Sequence, residues 1–224
     1  MTATLLLTRP EAQSRAFAAG LGALERVVIS PVMEIVETGL RPDLARYRGV
    51  ILTSANAVRF APGLQGVPVW CVGARTAEAA QAHGAQVMQV ADDAERLLAG
   101  FDGTGPLLHL RGEHARGKVA ERLTLAGIDT HEAVIYRQVA RDLTPEARQL
   151  IEGEDKLILP LFSPRTAALV GRQVARIGSS LEVIAISPAV AEAWHAETGA
   201  QVAEICDRPT GEEMRARIGH RLRG

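Results

Sequence analysis

Aromatic side chains are scarce in this 224-residue chain: Phe, Trp and Tyr make up 4% of it, although hydrophobic residues of all kinds reach 47%. Its cores must therefore be filled by Ala, Val, Leu and Ile. Cysteine is nearly absent too. Cys71 and Cys206 form no CxxC pair, and no signal peptide opens the sequence, so a reduced, cytoplasmic protein is expected. No apolar run reaches the ~18 residues that suggest a membrane span. Neither sign of charge dominates, with 25 Lys and Arg against 26 Asp and Glu. That balance argues against a nucleic-acid partner, and any anion binding must come from local placement of positive groups.

The usual catalytic signatures are missing as well. There is no HExxH pair, no GxSxG elbow and no GxGxxG fingerprint. The six histidines (His83, His109, His114, His131, His195, His220) are scattered, so no metal site is expected. His109 lies within a strand and reads as packed, and Cys71, in VPVWCVG, reads as a small core residue. One stretch, Gly112 to Val119 (GEHARGKV), nearly spells the phosphate-binding GxxxxGK[ST] loop. Val119 stands where a hydroxyl should meet magnesium. A helix is also expected to begin soon after Arg111, leaving too little loop to wrap phosphates. No cofactor is expected.

What the chain does have is alternation. β-rich runs are expected at Thr4–Thr8, Arg26–Val36, Gly49–Thr53, Pro68–Val72, Gln86–Val90, Pro106–Leu110, Thr130–Val139, Lys156–Phe162, Glu182–Ile186 and Gln201–Ile205. Ala-rich amphipathic segments such as Ala74–His83 and Pro188–Thr198 lie between them. Strand–helix alternation of this kind predicts an α/β protein with parallel sheets covered by helices on both faces.

The order of units repeats once. LLLTRPEA from Leu5 resembles LLHLRGEH from Leu107, and GVILTSANAV from Gly49 parallels KLILPLFSPRTAAL from Lys156. GARTAEAAQAHGAQV from Gly73 matches SPAVAEAWHAETGAQV from Ser187. Three matches in one order predict two related five-stranded domains. The corresponding second strands, Arg26–Val36 and Thr130–Val139, run to ten residues or more against a usual ~5–6. They are expected to carry the chain from one domain to the other.

In open parallel sheets, ligands bind beyond the carboxyl ends of the strands, at helix N-termini. Those positions hold Thr8-Arg9, Thr53-Ser54-Ala55-Asn56, Gly73-Ala74-Arg75-Thr76, Arg111-Gly112, Ser163-Pro164-Arg165 and Ser187-Pro188. Small residues, hydroxyls and arginines suit a ligand with many carboxylates held between two domains. Each hydroxyl taken singly is equally a helix cap. Tyr136, near the end of a long strand, is the aromatic candidate: either a half-buried strand tyrosine or a hydroxyl facing a ligand.

LTRP at Leu7, ILTSANAVR at Ile51, VGARTAEA at Val72, LRGEHARG at Leu110, IYRQ at Ile135 and LFSPRTAA at Leu161 fall in an order that resembles the uroporphyrinogen-III synthases, over essentially the whole chain. The resemblance implies a discontinuous first domain (1–33 with 142–224) and a second domain (34–141). A two-stranded ladder near 33–38 and 134–141 would join them, with a cleft between. It implies cyclisation of hydroxymethylbilane with loss of water and inversion of ring D, without a cofactor. The modest apolar surface expected of small α/β lobes points to a monomer, and transient contact with neighbouring pathway enzymes stays open. The resemblance further implies that Thr53, Ser54, Gly73, Thr76, Ser163 and Ser187 meet acetate and propionate groups, and that Tyr136 assists loss of the hydroxyl; Asn56, Arg75 and Gly112 are added to the substrate-binding set from their strand-end positions. Arg9, Arg111 and Arg165 join that set from charge alone. The family's usual Gly-Pro-Thr is Ser187-Pro188-Ala189 here, which removes a close-approach backbone site. Two other readings stay open: a two-domain protein that binds a polyanion without transforming it, and a nucleotide-dependent enzyme using Gly112 to Val119.

Overall fold

The computed structural model describes residues 3–22, 26–115 and 117–223, the side chain of Arg223 excepted. The chain divides into two compact units. One takes residues up to Glu34 and from Val139 onward, and the other Ile35–Gln138.

In the first unit β1 (Thr4–Leu7), α1 (Glu11–Ala19) and β2 (Val27–Ile29) come from the start of the chain. In the second, β3 (Met33–Glu37) bridges the boundary and is followed by β4 (Gly49–Leu52), α2 (Ala55–Phe60), β5 (Pro68–Val72), α3 (Ala74–Ala82), β6 (Gln86–Ala91), α4 (Ala94–Ala99), β7 (Leu107–Gly112), α5 (Val119–Leu125) and β8 (Thr130–Ala140). The chain then returns to the first unit through α6 (Pro145–Glu152), β9 (Leu157–Leu161), α7 (Pro164–Gly171), β10 (Leu181–Ala185), α8 (Pro188–Thr198), β11 (Glu204–Ile205) and α9 (Gly211–Arg223).

The strand orders are β11-β10-β9-β1-β2 and β3-β8-β7-β4-β5-β6. Apart from β3, the second order reproduces the first: β4, β5 and β6 stand where β9, β10 and β11 stand, and β7 and β8 where β1 and β2 stand. The sequence repeats fall on these equivalent strands. Sheet pairs within these two sets are parallel.

Alternate residues of each strand feed opposite cores, because successive side chains point to opposite faces. Leu6, Leu157, Leu159 and Leu161 pack with Ile151 of α6, Val170 of α7 and Trp194 of α8. Leu5, Leu7 and Ile158 pack on the other face with Phe17 of α1 and Met214 and Ile218 of α9. In the second unit Val50, Leu52, Leu108 and Leu110 face α2 and α3, whereas Ile51 and Leu107 face α4 and α5. Each fully buried Leu or Ile contributes about 1.5–3 kcal/mol, so aliphatic side chains supply most of these four layers, with Trp194, Phe17, Tyr136 and Trp70 as their buried aromatics.

The sequence pattern needs correcting in four places. Arg26–Val36 is two strands, because Pro31 lacks the N–H needed to continue a ladder; Ser30 donates its N–H to Leu7 and Val32 donates to Thr8. The second sheet consequently has six strands, with β3 beside β8. Gln201–Ile205 contracts to the two residues of β11. Finally, α5 starts at Val119, well after Arg111, because Gly117 (φ +85°) and Lys118 (φ +45°) are both left-handed and cannot continue a right-handed helix.

β3 and β8 run antiparallel at the passage between units: Thr38 donates to the carbonyl of Ile135, and Arg141 to that of Val32. The Arg141 guanidinium also pairs with Glu34.

Candidate functional site

Each sheet has one switch point, where the strand order turns back on itself. It lies between β9 and β1 in the first unit and between β4 and β7 in the second. Parallel strands bring all their carboxyl ends to one edge, and the loops flanking a switch point are where α/β sheets take ligands.

In the first unit that edge carries Arg9, Ser163, Arg165 and Ser187. Pro160 opens the place. Leu157 donates its N–H to Ser180 on the β10 side, so by alternation the N–H-less nitrogen of Pro160 faces β1, and the β1–β9 ladder ends at Leu5 and Ile158. Beyond it the Arg9 guanidinium lies 4.3 Å from the centroid of Phe162 and donates to Gln13 at 3.0 Å. Ser163 caps α7, accepting from the Thr166 N–H at 3.1 Å and donating to its hydroxyl at 2.9 Å. Arg165 is exposed in the first turn of α7. Ser187 occupies the same position before α8 but makes no side-chain cap.

In the second unit the edge gathers Thr53, Ser54, Asn56, Gly73, Arg75, Thr76, Arg111, Gly112 and Tyr136. Ser54 caps α2 by accepting from the Asn56 N–H at 3.2 Å. Gly73 precedes α3 at φ +83°, a conformation that favours glycine, and its carbonyl receives the Thr76 N–H. Thr76 is buried and Arg75 is exposed. The first N–H groups of α3 lack acceptors within the helix and carry its positive terminus.

Tyr136 owes its placement to a bulge. Arg111 is opposite Val134, but Gly112 is opposite Tyr136, so the register shifts by one residue at Ile135. Ile135 and Tyr136 therefore both reach the α2–α3 core, which strict alternation would forbid. The tyrosine ring stacks on Phe60 of α2 at 6.0 Å. Among the described residues its hydroxyl has no protein partner.

Arg111 is firmly engaged. It pairs with Glu132 at 2.8 Å and donates to the carbonyls of Gly112 and Glu113 at 3.0 and 3.2 Å. Beside it lies a buried residue that the sequence marks only as packed. His109, 1% exposed, faces Glu132 across β7 and β8. Its Nε2 is 3.1 Å from the Thr53 hydroxyl, and its Nδ1 is 3.6 Å from Glu132, beyond hydrogen-bond length. Burial, only partly offset by Glu132, pushes its pKa down to about 4. Period-two spacing puts His109 and Arg111 on one face. Nothing in the sequence showed that Glu132 stands opposite them.

The phosphate-loop lookalike does have room, with Glu113 to Lys118 separating β7 from α5. Its Arg116, however, lies outside the described residues, Val119 is a fully buried core residue, and Lys118 pairs with Glu121 at 3.1 Å. No group of three or more His, Cys, Asp or Glu among the described residues is placed to hold a metal.

The profile of the family described as uroporphyrinogen-III synthase HemD matches residues 17–216. The chain belongs to the uroporphyrinogen-III synthase family. A uroporphyrinogen-III synthase of Chlorobaculum parvum is 30% identical over 188 residues, covering 73% of this chain and 76% of that protein. Among solved structures, a uroporphyrinogen-III synthetase from Helicobacter pylori 26695 shares the fold with a TM-score of 0.68, at 19% identity and over 99% and 100% of the two chains. A mutant uroporphyrinogen III synthase from the extremely thermophilic bacterium Thermus thermophilus aligns with a TM-score of 0.50 at 13% identity, over 98% and 99%. LTRP, ILTSANAVR, VGARTAEA and LFSPRTAA, motifs by which the sequence resembles this family, run from strand ends into the loops just described, whereas IYRQ lies within β8; Ser187-Pro188-Ala189 opens α8.

Proposed function

We propose that this protein is a uroporphyrinogen-III synthase that binds hydroxymethylbilane at the strand-end loops and closes it with inversion of ring D. The observation that carries this reading is the family match across residues 17–216. The local chemistry agrees with it. Hydroxyls, helix-terminal amides and arginines dominate the two strand-end edges, which suits eight carboxylate side chains better than a single reactive centre.

In this reading Tyr136 helps the terminal hydroxyl leave as water, with the proton supplied through its phenol. The resulting azafulvene is attacked by the substituted carbon of ring D, and the spiro intermediate fragments and recloses with that ring inverted. Water is the one small product. Unassisted closure gives the uninverted isomer, so the protein's contribution is to hold the reacting carbons in a near-attack arrangement. Thr53, Ser54, Asn56, Gly73, Arg75, Thr76, Arg111 and Gly112 would hold carboxylates at one edge, and Arg9, Ser163, Arg165 and Ser187 at the other. We also infer a cytoplasmic monomer. Both cysteines are free and buried, and no described helix is long and apolar enough to cross a membrane.

The test is a coupled assay in which freshly generated hydroxymethylbilane meets the purified protein and the oxidised products are separated by isomer. Predominantly type III product is expected. Type I product alone, at the rate of the blank, would sink the reading and favour a polyanion-binding protein.

A further inference from the structure

β4, β7 and β8 are neighbours in the second sheet, and one polar group from each joins a chain that runs from Thr53 through His109 to Glu132. Thr53, directly after β4, has its hydroxyl 3.1 Å from Nε2 of His109 on β7, whose Nδ1 looks toward Glu132 on β8. Thr53 is half-buried at the strand-end edge, whereas His109 is sealed inside.

The tautomer follows from the neighbours. A lone pair on Nδ1 would face a carboxylate at 3.6 Å, so Nδ1 carries the hydrogen. Nε2 is then an acceptor, and the Thr53 hydroxyl must donate to it. In that state Thr53 presents only lone pairs outward and repels a carboxylate. A doubly protonated ring reverses this: Nε2–H donates to the Thr53 oxygen and the hydroxyl hydrogen turns outward.

We propose that His109 is a positioning residue that acts through Thr53, so that binding of a ligand carboxylate at Thr53 is coupled to uptake of one proton at Nε2 of His109. This rests on the reading that the strand-end loops bind the substrate's carboxylates. The proton comes from solvent, no covalent bond to carbon changes, and the added positive charge sits between Glu132 and the incoming carboxylate. Solvent is near on the Nδ1 side, where a cavity of about 620 Å³ is lined by His109, Arg111, Glu132, by Glu113 and Lys118 of the loop between β7 and α5, and by Glu121 of α5. Arg111 on β7 opposes protonation, while Glu132 on β8 favours it. Lys118, just before α5, and Glu121 on it pair with each other at 3.1 Å, so together they add little net charge. The low pKa of the free ring leaves it neutral until a ligand arrives.

The experiment is nitrogen NMR of histidine-labelled protein, with the His109 signals assigned by their loss in His109→Gln. In the free protein near pH 6 a neutral ring protonated at Nδ1 is expected. Saturation with uroporphyrin III, a stable polycarboxylate analogue of the product, should give doubly protonated shifts in wild type and no change in Thr53→Val. The dissociation constant for uroporphyrin III should also rise as pH rises, more steeply in wild type than in either variant, by up to about tenfold per pH unit for one coupled proton. A ring that stays neutral in the complex, or a failure of uroporphyrin III to bind, overturns the proposal. A wild-type protein that makes only type I product would instead remove the synthase reading, with the NMR result still deciding the coupling.

Discussion

The ring of Tyr136 lies against the bare α-carbon of Gly112, and a β-carbon there would stand 2.5 Å from Cε2 and 2.9 Å from the phenol oxygen. Glycine is thus required at the end of β7 by its neighbour, not by its own backbone. Gly112→Ala must push the ring off Phe60 and is expected to lower the rate of type III formation at least as far as Tyr136→Phe does. Tyr136→Phe itself should slow turnover by up to about 10²-fold, the low end for a positioned proton donor, without abolishing it. Initial rates by isomer separation decide both, and a fully active Tyr136→Phe enzyme would remove the tyrosine's role.

Ser163 and Ser187 occupy equivalent positions before α7 and α8, yet only Ser163 caps its helix. Ser163→Ala should cost about 1 kcal/mol of stability. Ser187→Ala should leave the urea midpoint unchanged and raise KM, because that hydroxyl has no structural duty to lose. Unchanged KM would take Ser187 out of the site.

His109 makes stability depend on pH with a definite sign. Its folded pKa, about 4, is below the usual 6.5. The unfolded chain therefore binds this proton more readily, and stability present above pH 6.5 is lost as pH falls toward 4. The loss is on the order of 3 kcal/mol. Thermal melts of wild type and His109→Gln from about pH 7 down to about pH 4.5 should show a shallower decline in the variant.

Trp194 is completely buried, and its indole N–H has no partner among the described residues. Trp194→Ala should destabilise the first unit by about 3–5 kcal/mol. Trp194→Phe should cost far less, since it removes the unsatisfied donor and keeps much of the packing. Urea unfolding of the two variants compares them directly.

Burial pushes the Cys71 thiol up to about 11. At about pH 8 it should resist iodoacetamide in the native protein and react once unfolded, as mass spectrometry would show.

Much of this was legible beforehand, for particular reasons. The repeats reported strand equivalence correctly because LLLTRPEA and LLHLRGEH must each fill two opposite cores. The helix starts at Pro164 and Pro188 were visible in a serine followed by proline. Other features depend on partners far away in sequence. The bulge that turns Tyr136 inward exists only in the pairing of β7 with β8, and period-two reasoning would have sent that ring to the wrong face. His109 looked like core because nothing nearby in the chain announces Thr53 or Glu132. Whether a strand-end serine caps, as Ser54 and Ser163 do, or stays free, as Ser187 does, is a matter of rotamer that no motif records.

The matching strand orders also carry a message about descent and folding. Written along the chain, and leaving β3 aside, the pieces are a two-strand block, a three-strand block, then the same pair again. The second unit joins the inner two blocks, and the first unit joins the outer two. Cutting the chain between α4 and β7 would thus free two halves, each holding one block of either kind. Each half owns every strand that a five-stranded layer needs, although the intact molecule never pairs them that way. Such halves are the natural place to look for an ancestral single-lobed form that folded on its own, or for two copies trading blocks.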